Sequence, residues 1–461
     1  MKNDETIKSL LRSGDARQLG SIKRLDWRME QAKADVLIAY QLADGAEALQ
    51  KLQARLHNAK PGLLLVSRDP GVELGCPTWV ARENTWPELL HTLCDRFYPF
   101  PSRLKLLAVT GTNGKTTTAD LALQLGVAGG LQGFSIGTLG VRQEGKTIEE
   151  FGLTTPGQIQ LRQMLAHYGA HADFAVMEAS SHALEQERVY GLQFVSAAWT
   201  NLTQDHLDYH KTMGAYFEAK RRIFNYVKKD GLVFVPSGQQ DLIARLSGSS
   251  QVKQVEPLSA EIRKDLPVFF KARFNEENLL CALKLVEALG IAVTPSHFKK
   301  LQPPPGRFYI REWNGKTAIV DFAHTPDALE NILRAVKETF SNQRIIVLFG
   351  CGGDRDRTKR PLMGKIAAQF ADEIIVTSDN PRTEDPERII QDIVDGVGHH
   401  PSLRRVVDRP AAVRVALASL RTGDVLVMAG KGHEDYILKG TTKVPYSDIA
   451  ELDGHITQEK G

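Results

Sequence analysis

The sequence predicts an α/β protein of three domains built on largely parallel sheets. Three observations lead there. An apolar run, Leu106 to Thr110, breaks into the glycine-rich Gly111-Thr112-Asn113-Gly114-Lys115-Thr116-Thr117 and resumes as a helix-compatible stretch. Between Thr317 and Leu420 short apolar runs alternate with helical ones, the pattern of parallel strands joined by helical crossovers. Prolines interrupt the chain twice, at Pro99 and Pro101 and at Pro303-Pro304-Pro305, which suggests domains at 1–103, 104–305 and 306–461.

The glycine-rich stretch carries the most chemistry. Gly111 and Gly114 let backbone N–H groups turn toward an anion at the positive end of a helix, Lys115 can reach terminal phosphates, and the Thr116 hydroxyl can hold Mg²⁺. Val109 stands where the strict P-loop pattern has its first glycine, so a simple glycine turn is the competing reading.

With 461 residues, 42% hydrophobic and 25% charged, the chain has the composition of a globular protein with several cores. A net charge of +3, from 58 basic against 55 acidic residues without long single-sign runs, gives no footprint for nucleic acid or an anionic membrane surface. Cys76, Cys94, Cys281 and Cys351 lie far apart with no zinc spacing and read as reduced thiols. No apolar run nears the ~20 residues of a membrane helix, so no membrane insertion and a cytoplasmic location are expected.

In the first domain, runs 35–40 and 62–67 read as strands flanking a helix at 46–57. The central domain adds strand candidates at 133–137, 173–177, 194–199 and 232–235, which with the loop above make a P-loop ATPase-like parallel sheet. The last domain pairs strands at 317–321, 344–349, 373–377 and 424–429 with helices at 328–340, 364–370, 387–395 and 411–420. That is a Rossmann-like doubly wound sheet.

Two polar clusters follow apolar strands in the central domain. Glu178, in Glu178-Ala179-Ser180-Ser181-His182, is a Mg²⁺ candidate or a helix cap. Thr200 to His210, which includes His206, is a metal-binding loop or a solvated one.

Taken with Glu178 to Arg188, Asp205 to His210 and Asp321-Phe-Ala-His-Thr-Pro-Asp327, the loop at 111–117 closely resembles the corresponding motifs of the Mur ligases. So do Gly350 to Gly364, Asp379-Asn-Pro-Arg382 and Gly430-Lys-Gly-His-Glu434. The resemblance runs from about residue 104 to 450 and implies ATP-dependent amide formation in peptidoglycan assembly. The γ-phosphoryl group of ATP would pass to the D-glutamate side chain of UDP-N-acetylmuramoyl-L-alanyl-D-glutamate, and the amine of meso-diaminopimelate would attack the acyl phosphate. L-Lysine as the added amino acid, or a peptide-recycling ligase, are the alternatives.

The same resemblance implies the site residues. Lys115, Glu178, His206 and Lys220 are catalytic, with Thr116, Glu178, His206 and a carbamylated Lys220 around Mg²⁺. Gly111 to Thr117 with Asn275, Asn278, Arg307, Asp321 and His324 meet ATP. Thr154, Thr155, Ser180, Gln186 and Arg188 meet the UDP substrate. Arg355, Asp379, Asn380, Pro381, Arg382, Gly430 and Glu434 meet the amino acid. A solvated helix lysine at 220, and an Arg382 paired with Glu384 or Asp385 at the surface, are the bland alternatives for those two.

A monomer is expected. The chain departs from the family at Trp27, where a small hydroxyl is usual between Asp26 and Arg28; the indole either stacks on uracil or packs internally. It departs also at Val235 to Gln239 and at Ala272-Arg273, which suggests an altered late central domain. No base-reading motif of a GTPase and no second Walker set of a transport ATPase is present, and the intact Lys115, Glu178, His206 and Lys220 speak against a silent scaffold.

Overall fold

The computed structural model describes residues 2–259, 263, 266–298 and 300–460. They form two compact units. One contains Met1–Thr110, Gly126–Ala197 and Ala219–Val233; the other contains Gly111–Leu125, Ala198–Glu218 and Phe234–Gly461.

The first unit opens with a five-stranded sheet of β1 (Leu11–Ser13), β2 (Arg24–Asp26), β3 (Val36–Tyr40), β4 (Leu63–Val66) and β5 (Thr78–Ala81), in the order β1-β5-β4-β3-β2. All neighbours are parallel except β1 and β5. β3 and β4 were legible because parallel strands covered on both faces read as unbroken apolar runs. The edge strands β1 and β2 have three residues each, too short to show a period.

The same unit holds β6 (Lys105–Thr110), β7 (Gly133–Gly137), β8 (Gly140–Gln143), β9 (Lys146–Glu149), β10 (Phe174–Glu178) and most of β11 (Phe194–Trp199), ordered β11-β6-β10-β7-β8-β9. β6, β10 and β7 run parallel as expected. β8 and β9 are antiparallel additions, so the sheet is mixed rather than purely parallel. The cause is local: Glu144 and Gly145 both have positive φ, 49° and 76°, the two-residue turn that matches strand twist in a hairpin.

Helix Gln158–Gly169 packs on helix Trp86–Phe97 through Arg162, which is 2% exposed and donates to Asp95 Oδ1 at 2.6 Å and to Tyr98 O at 3.1 Å.

In the second unit β12 (Val233–Pro236) neighbours β13 (Val252–Val255). A six-stranded sheet follows, of β14 (Tyr309–Trp313), β15 (Lys316–Asp321), β16 (Ile345–Phe349), β17 (Glu373–Val376), β18 (Leu403–Arg405) and β19 (Val425–Ala429). Its order is β14-β15-β19-β16-β17-β18, parallel but for the edge strand β14.

Three of its helices start alike. Thr325, Asp385 and Asp408 each accept a backbone N–H one or two residues into the helix, and a proline stands in each first turn. That shared start sends the chain from the C-terminal end of a strand into its crossover helix and leaves the strand ends open to ligands.

The last helix, Asp448–Lys460, is anchored by a fully buried pair. Arg409 gives Nε to Asp448 Oδ1 at 3.0 Å and Nη2 to Oδ2 at 2.7 Å, while Nη2 also reaches Ala429 O at 3.0 Å and Tyr446 OH donates to Asp448 at 2.8 Å. Removing one partner strands a desolvated charge. Asp448→Ala is therefore expected to lower stability by about 3–5 kcal/mol, and Arg409→Met with Asp448→Leu by distinctly less, as read from urea unfolding midpoints.

Candidate active site

The loop after β6 belongs to the second unit and takes its shape from close neighbours. Gly111 and Gly114 have φ of 142° and 82°. A Cβ on the first would collide with Thr200 Oγ1, and one on the second with Asn278 Oδ1. Both glycines are thus required by backbone conformation and by space.

Asn201 Oδ1 accepts the N–H of Thr112 at 3.1 Å and of Asn113 at 2.8 Å, and Thr200 Oγ1 donates to Asn113 O at 2.5 Å. The Thr112 hydroxyl donates to Thr203 O at 3.0 Å and accepts from Tyr216 OH at 3.2 Å. Lys115 Nζ lies over the loop it belongs to, 3.0 Å from Gly111 O and 2.8 Å from Thr112 O. An ammonium held among the loop carbonyls at the start of helix Lys115–Ala128 is positioned to meet an anion there.

The other residues expected around ATP fall into two groups. Asn278 accepts from Thr118 Oγ1 at 3.3 Å, and Arg307 donates to Thr116 Oγ1 at 3.3 Å while its guanidinium lies 4.4 Å from the centre of the Phe322 ring. Asp321, at the end of β15, accepts from Phe308 N at 2.7 Å, and His324 Nδ1 is 2.9 Å from Phe322 O. Asn275 differs: its amide is buried and donates to Phe269 O at 3.0 Å, holding a turn of the chain.

Asp205 is a centre that sequence reasoning quoted but gave no role. It is 5% exposed and lies 3.4 Å from His206 Nε2, 4.0 Å from His324 Nε2 and 3.8 Å from Lys359 Nζ. Burial pushes its pKa up, but Lys359 and the two imidazoles outweigh that and hold the carboxyl well below the usual aspartate range. His206 itself adopts the left-handed conformation, φ 55°, a strained backbone of the kind that gathers at functional sites.

In the first unit, Glu178 ends β10. Thr138 N donates to its Oε1 at 2.8 Å and Thr138 Oγ1 to its Oε2 at 3.2 Å. It does not cap the following helix; Ser180 does, accepting from Ala183 N. The residues expected to hold the UDP substrate are joined in one network here. Thr138 Oγ1 is 3.1 Å from Thr154 Oγ1, Thr155 Oγ1 donates to Glu178 O at 2.7 Å, and Ser180 N donates to Thr155 Oγ1 at 3.1 Å. Arg188 gives Nη1 to Thr155 O at 2.7 Å and Nη2 to Gln186 Oε1 at 2.7 Å.

Lys220 is only 1% exposed, so it is not the solvated helix lysine of the bland reading. Trp27 packs against the core of the five-stranded sheet, with the Arg28 guanidinium 4.7 Å above its ring, which is the internal-packing reading of that departure. Arg28 is itself clamped by Asp26, through Nε to Oδ1 and Nη2 to Oδ2, both at 3.0 Å.

The third centre sits at the C-terminal ends of β16, β17 and β19. Arg382 is held with φ 52°; its N–H donates to Leu438 O at 3.0 Å and its carbonyl accepts from Gly440 N at 2.8 Å. Those two bonds join it to the hairpin of β20 (Tyr436–Lys439) and β21 (Thr442–Pro445). The guanidinium donates to Gly353 O at 2.8 Å, beside Gly352, whose missing side chain leaves the room it occupies.

Neither expected surface partner engages Arg382. Glu384 accepts from the buried Arg360, with 2.8 Å from Nη2 to Oε1, and Asp385 caps its helix. Among the described residues no carboxylate is in ion-pair range of Arg382, and burial with the neighbouring Arg355 lowers its pKa. Arg355 is exposed and donates to Asp354 O at 2.9 Å.

Gly430, with φ 107°, brings its backbone against the Asp379 carboxylate. Gly353, likewise without a side chain, brings its backbone against Pro381 O. Glu434 Oε2 accepts from Asn380 Nδ2 and from Lys431 Nζ, both at 2.9 Å. A guanidinium without a carboxylate stands near a carboxylate whose described hydrogen bonds both fall on Oε2, and such a site can grip a group bearing both charges.

Residues 109–278 match the Mur ligase middle domain, and residues 306–432 match the Mur ligase glutamate ligase domain. A Synechococcus elongatus protein named UDP-N-acetylmuramoyl-L-alanyl-D-glutamate--2,6-diaminopimelate ligase is 43% identical over 396 residues, 78% of each chain. The chain belongs to the Mur ligase family. It is therefore an ATP-dependent ligase of the amide-forming kind.

A Syntrophomonas wolfei protein of the same name is 37% identical over 391 residues, 78% of this chain and 80% of the other. A solved ligase of that name superposes with a TM-score of 0.60 at 28% identity, covering 95% of this chain and 96% of its own. The MurF ligase of Thermotoga maritima, solved with ADP, gives 0.61 at 14% identity and covers 95% and 97%. Such a distant likeness speaks to the fold alone, and the α/β fold of three domains is the one these Mur ligases share.

Sequence reading missed Asn201, Asp205, Thr138, Lys359 and Lys431 as functional neighbours. The signal for Asn201 and Asp205 was their place in a polar loop after a buried strand; Lys359 and Lys431 lay inside the motifs at 350–364 and 430–434 but were given no role, and Thr138 carried no signal.

Gly114→Ala tests the loop: an added methyl meets Asn278, and the positive φ costs about 1–2 kcal/mol in any residue with a Cβ. ATP affinity measured by calorimetry should drop at least about tenfold in a protein that still folds.

Proposed function

We propose that this chain adds meso-diaminopimelate to UDP-N-acetylmuramoyl-L-alanyl-D-glutamate. The observation that carries the reading is the C-terminal centre, where Arg382 is held without a carboxylate partner and Glu434 stands by the same loop. Diaminopimelate places a carboxylate beside its distal ammonium, whereas L-lysine would bring an ammonium toward Arg382 with nothing to pair it. The diaminopimelate ligase names of the relatives at 37–43% identity support the same substrate.

The reaction follows from the parts. Lys115 and the loop amides stabilise charge on the γ-phosphoryl group as it moves to the D-glutamate carboxylate, and the acyl phosphate is then attacked by the amine of the incoming amino acid to form the amide and release phosphate. Gly111, Thr112, Asn113, Gly114, Thr116 and Thr117 cradle the phosphates. Asn275, Asn278, Arg307, Asp321 and His324 are assigned to the nucleotide. Thr154, Thr155, Ser180, Gln186 and Arg188 hold the UDP substrate. Arg355, Asp379, Asn380, Pro381, Arg382, Gly430 and Glu434 hold the amino acid. The divisions 1–103, 104–305 and 306–461 are taken as the UDP-substrate, ATP and amino-acid domains.

The family resemblance assigns Mg²⁺ to hydroxyl, carboxylate and imidazole donors. The Thr116 hydroxyl, the Glu178 carboxylate, His206 and a carbamate on Lys220 are the groups that would hold it. When bound, the ion supplies charge neutralisation at the phosphates. Support for carbamylation of Lys220 is its burial, which keeps its side chain out of bulk solvent. Among the described residues no helix is long and apolar enough to cross a membrane; a cytoplasmic monomer is the reading we adopt.

Phosphate release with the UDP-dipeptide and a panel of amino acids tests the assignment. The rate should be highest with meso-diaminopimelate, and Lys115→Ala should remove at least about 99% of it while the unfolding midpoint stays put. Near-normal turnover in that variant overturns the role of the loop.

An unpaired guanidinium in a desolvated pocket costs about 2–5 kcal/mol, so kcat/KM should favour diaminopimelate over L-lysine by tens- to thousands-fold. Arg382→Ala should erase most of that ratio; an unchanged ratio, or wild-type preference for lysine, refutes the substrate.

A further inference from the structure

Lys431 is fully buried, in the loop that also carries Gly430 and Glu434. A lysine in such a place must be paired, and this one uses every donor. Its Nζ lies 2.7 Å from Asn380 Oδ1, 2.9 Å from Glu434 Oε2 and 2.8 Å from Tyr436 O, with Asp379 Oδ1 at 3.2 Å. The Asn380 oxygen it holds also accepts Leu438 N at 2.8 Å, and Asn380 Nδ2 donates to Glu434. One ammonium thus joins the loop after β17, the loop after β19 and the first strand of the β20–β21 hairpin.

We propose that Lys431 is a positioning residue for the added amino acid: an internal cation that fixes Glu434 through its Oε2, leaves Oε1 to a distal ammonium, and offsets one of two adjacent carboxylates so that the other stays ionised. This rests on the amino-acid site proposed above.

Charge balance supports it. Asp379 and Glu434 carry two negative charges against the single positive charge of Lys431, so the cluster keeps about one negative charge for a cationic group. Arg409, a further cation near Asp379, is neutralised by Asp448. Arg382 also feels the charge of Asp379 and Glu434, and with Arg355 beside it is the cation assigned to the ligand carboxylate. Burial and the repulsion of Asp379 already raise the Glu434 pKa, with Lys431 and Asn380 working against them. Without the ammonium, the Glu434 pKa would rise further and the carboxylate would hold its charge less well.

The test is a double-mutant cycle in the full chain, with steady-state KM for diaminopimelate, ATP and the UDP-dipeptide. Lys431→Met should raise KM for diaminopimelate at least tenfold, leaving KM for ATP within twofold and kcat within threefold. Glu434→Gln should likewise raise KM for diaminopimelate at least tenfold, and the double variant should be no worse in that KM than the worse single variant within twofold. Losses that multiply, or an unchanged KM in folded Lys431→Met, overturn the proposal. A merely structural lysine would disturb kcat and the other two KM values as well.

If Lys431→Met does not fold, Lys431→Gln decides. It keeps hydrogen-bonding capacity but not charge, and the same selective tenfold rise is expected; an unchanged KM overturns the proposal. If Glu434→Gln alone leaves KM for diaminopimelate unchanged, the amino-acid site itself has been misread, a failure distinct from that of Lys431.

Discussion

The second unit is organised around the hydrogen bonds that hold Asn113. Its N–H goes to Asn201, its carbonyl receives Thr200, its side-chain nitrogen reaches Asp327 Oδ2 at 2.8 Å and its side-chain oxygen accepts Thr325 Oγ1 at 3.3 Å. Thr325 is also the cap of helix Pro326–Thr339. One small amide therefore ties the phosphate loop, the polar loop after β11 and the first helix of the six-stranded sheet. Because short buried hydrogen bonds are costly to leave unmade, the loop cannot shift without loosening its neighbours.

Much of this was legible in the sequence because burial is written into long apolar runs. β6, β16 and β19 lie between other strands, and their runs, LLAVT, IIVLF and VLVMA, could be read within a residue or two. The helix expected at 387–395 spans Pro386–Val397, since a proline start and the glycine at 398 bound it. What escaped was short or polar. β1, β2 and β18 have three residues each, and β20–β21 is exposed enough to carry no apolar period.

The site shows the same division. Residues named by motif, such as the glycines of the phosphate loop, sit where backbone geometry demands them. The internal cations do not announce themselves, because lysine and arginine are ordinarily surface residues and only the fold reveals that Lys431, Arg360 and Arg409 are enclosed. Each is matched by at least one carboxylate distant in sequence, although Lys431 also reaches Glu434 three residues on. Trp27 gave the opposite lesson: an unusual residue in a ligand-like position is partly buried against its own core.

The bonding of Arg382 to the β20–β21 hairpin bears on how selectivity could change over time. The guanidinium is aimed by a left-handed backbone that Leu438 and Gly440 hold from the far side. A new side chain at that position inherits an unfavourable conformation and a direction set elsewhere, so exchange of one residue gives a poor pocket rather than a different one. Relatives that accept another amino acid would then be expected to differ across the turn and the hairpin together, as an inherited block. Attempts to redirect the enzyme by transplanting sequence should move both pieces at once.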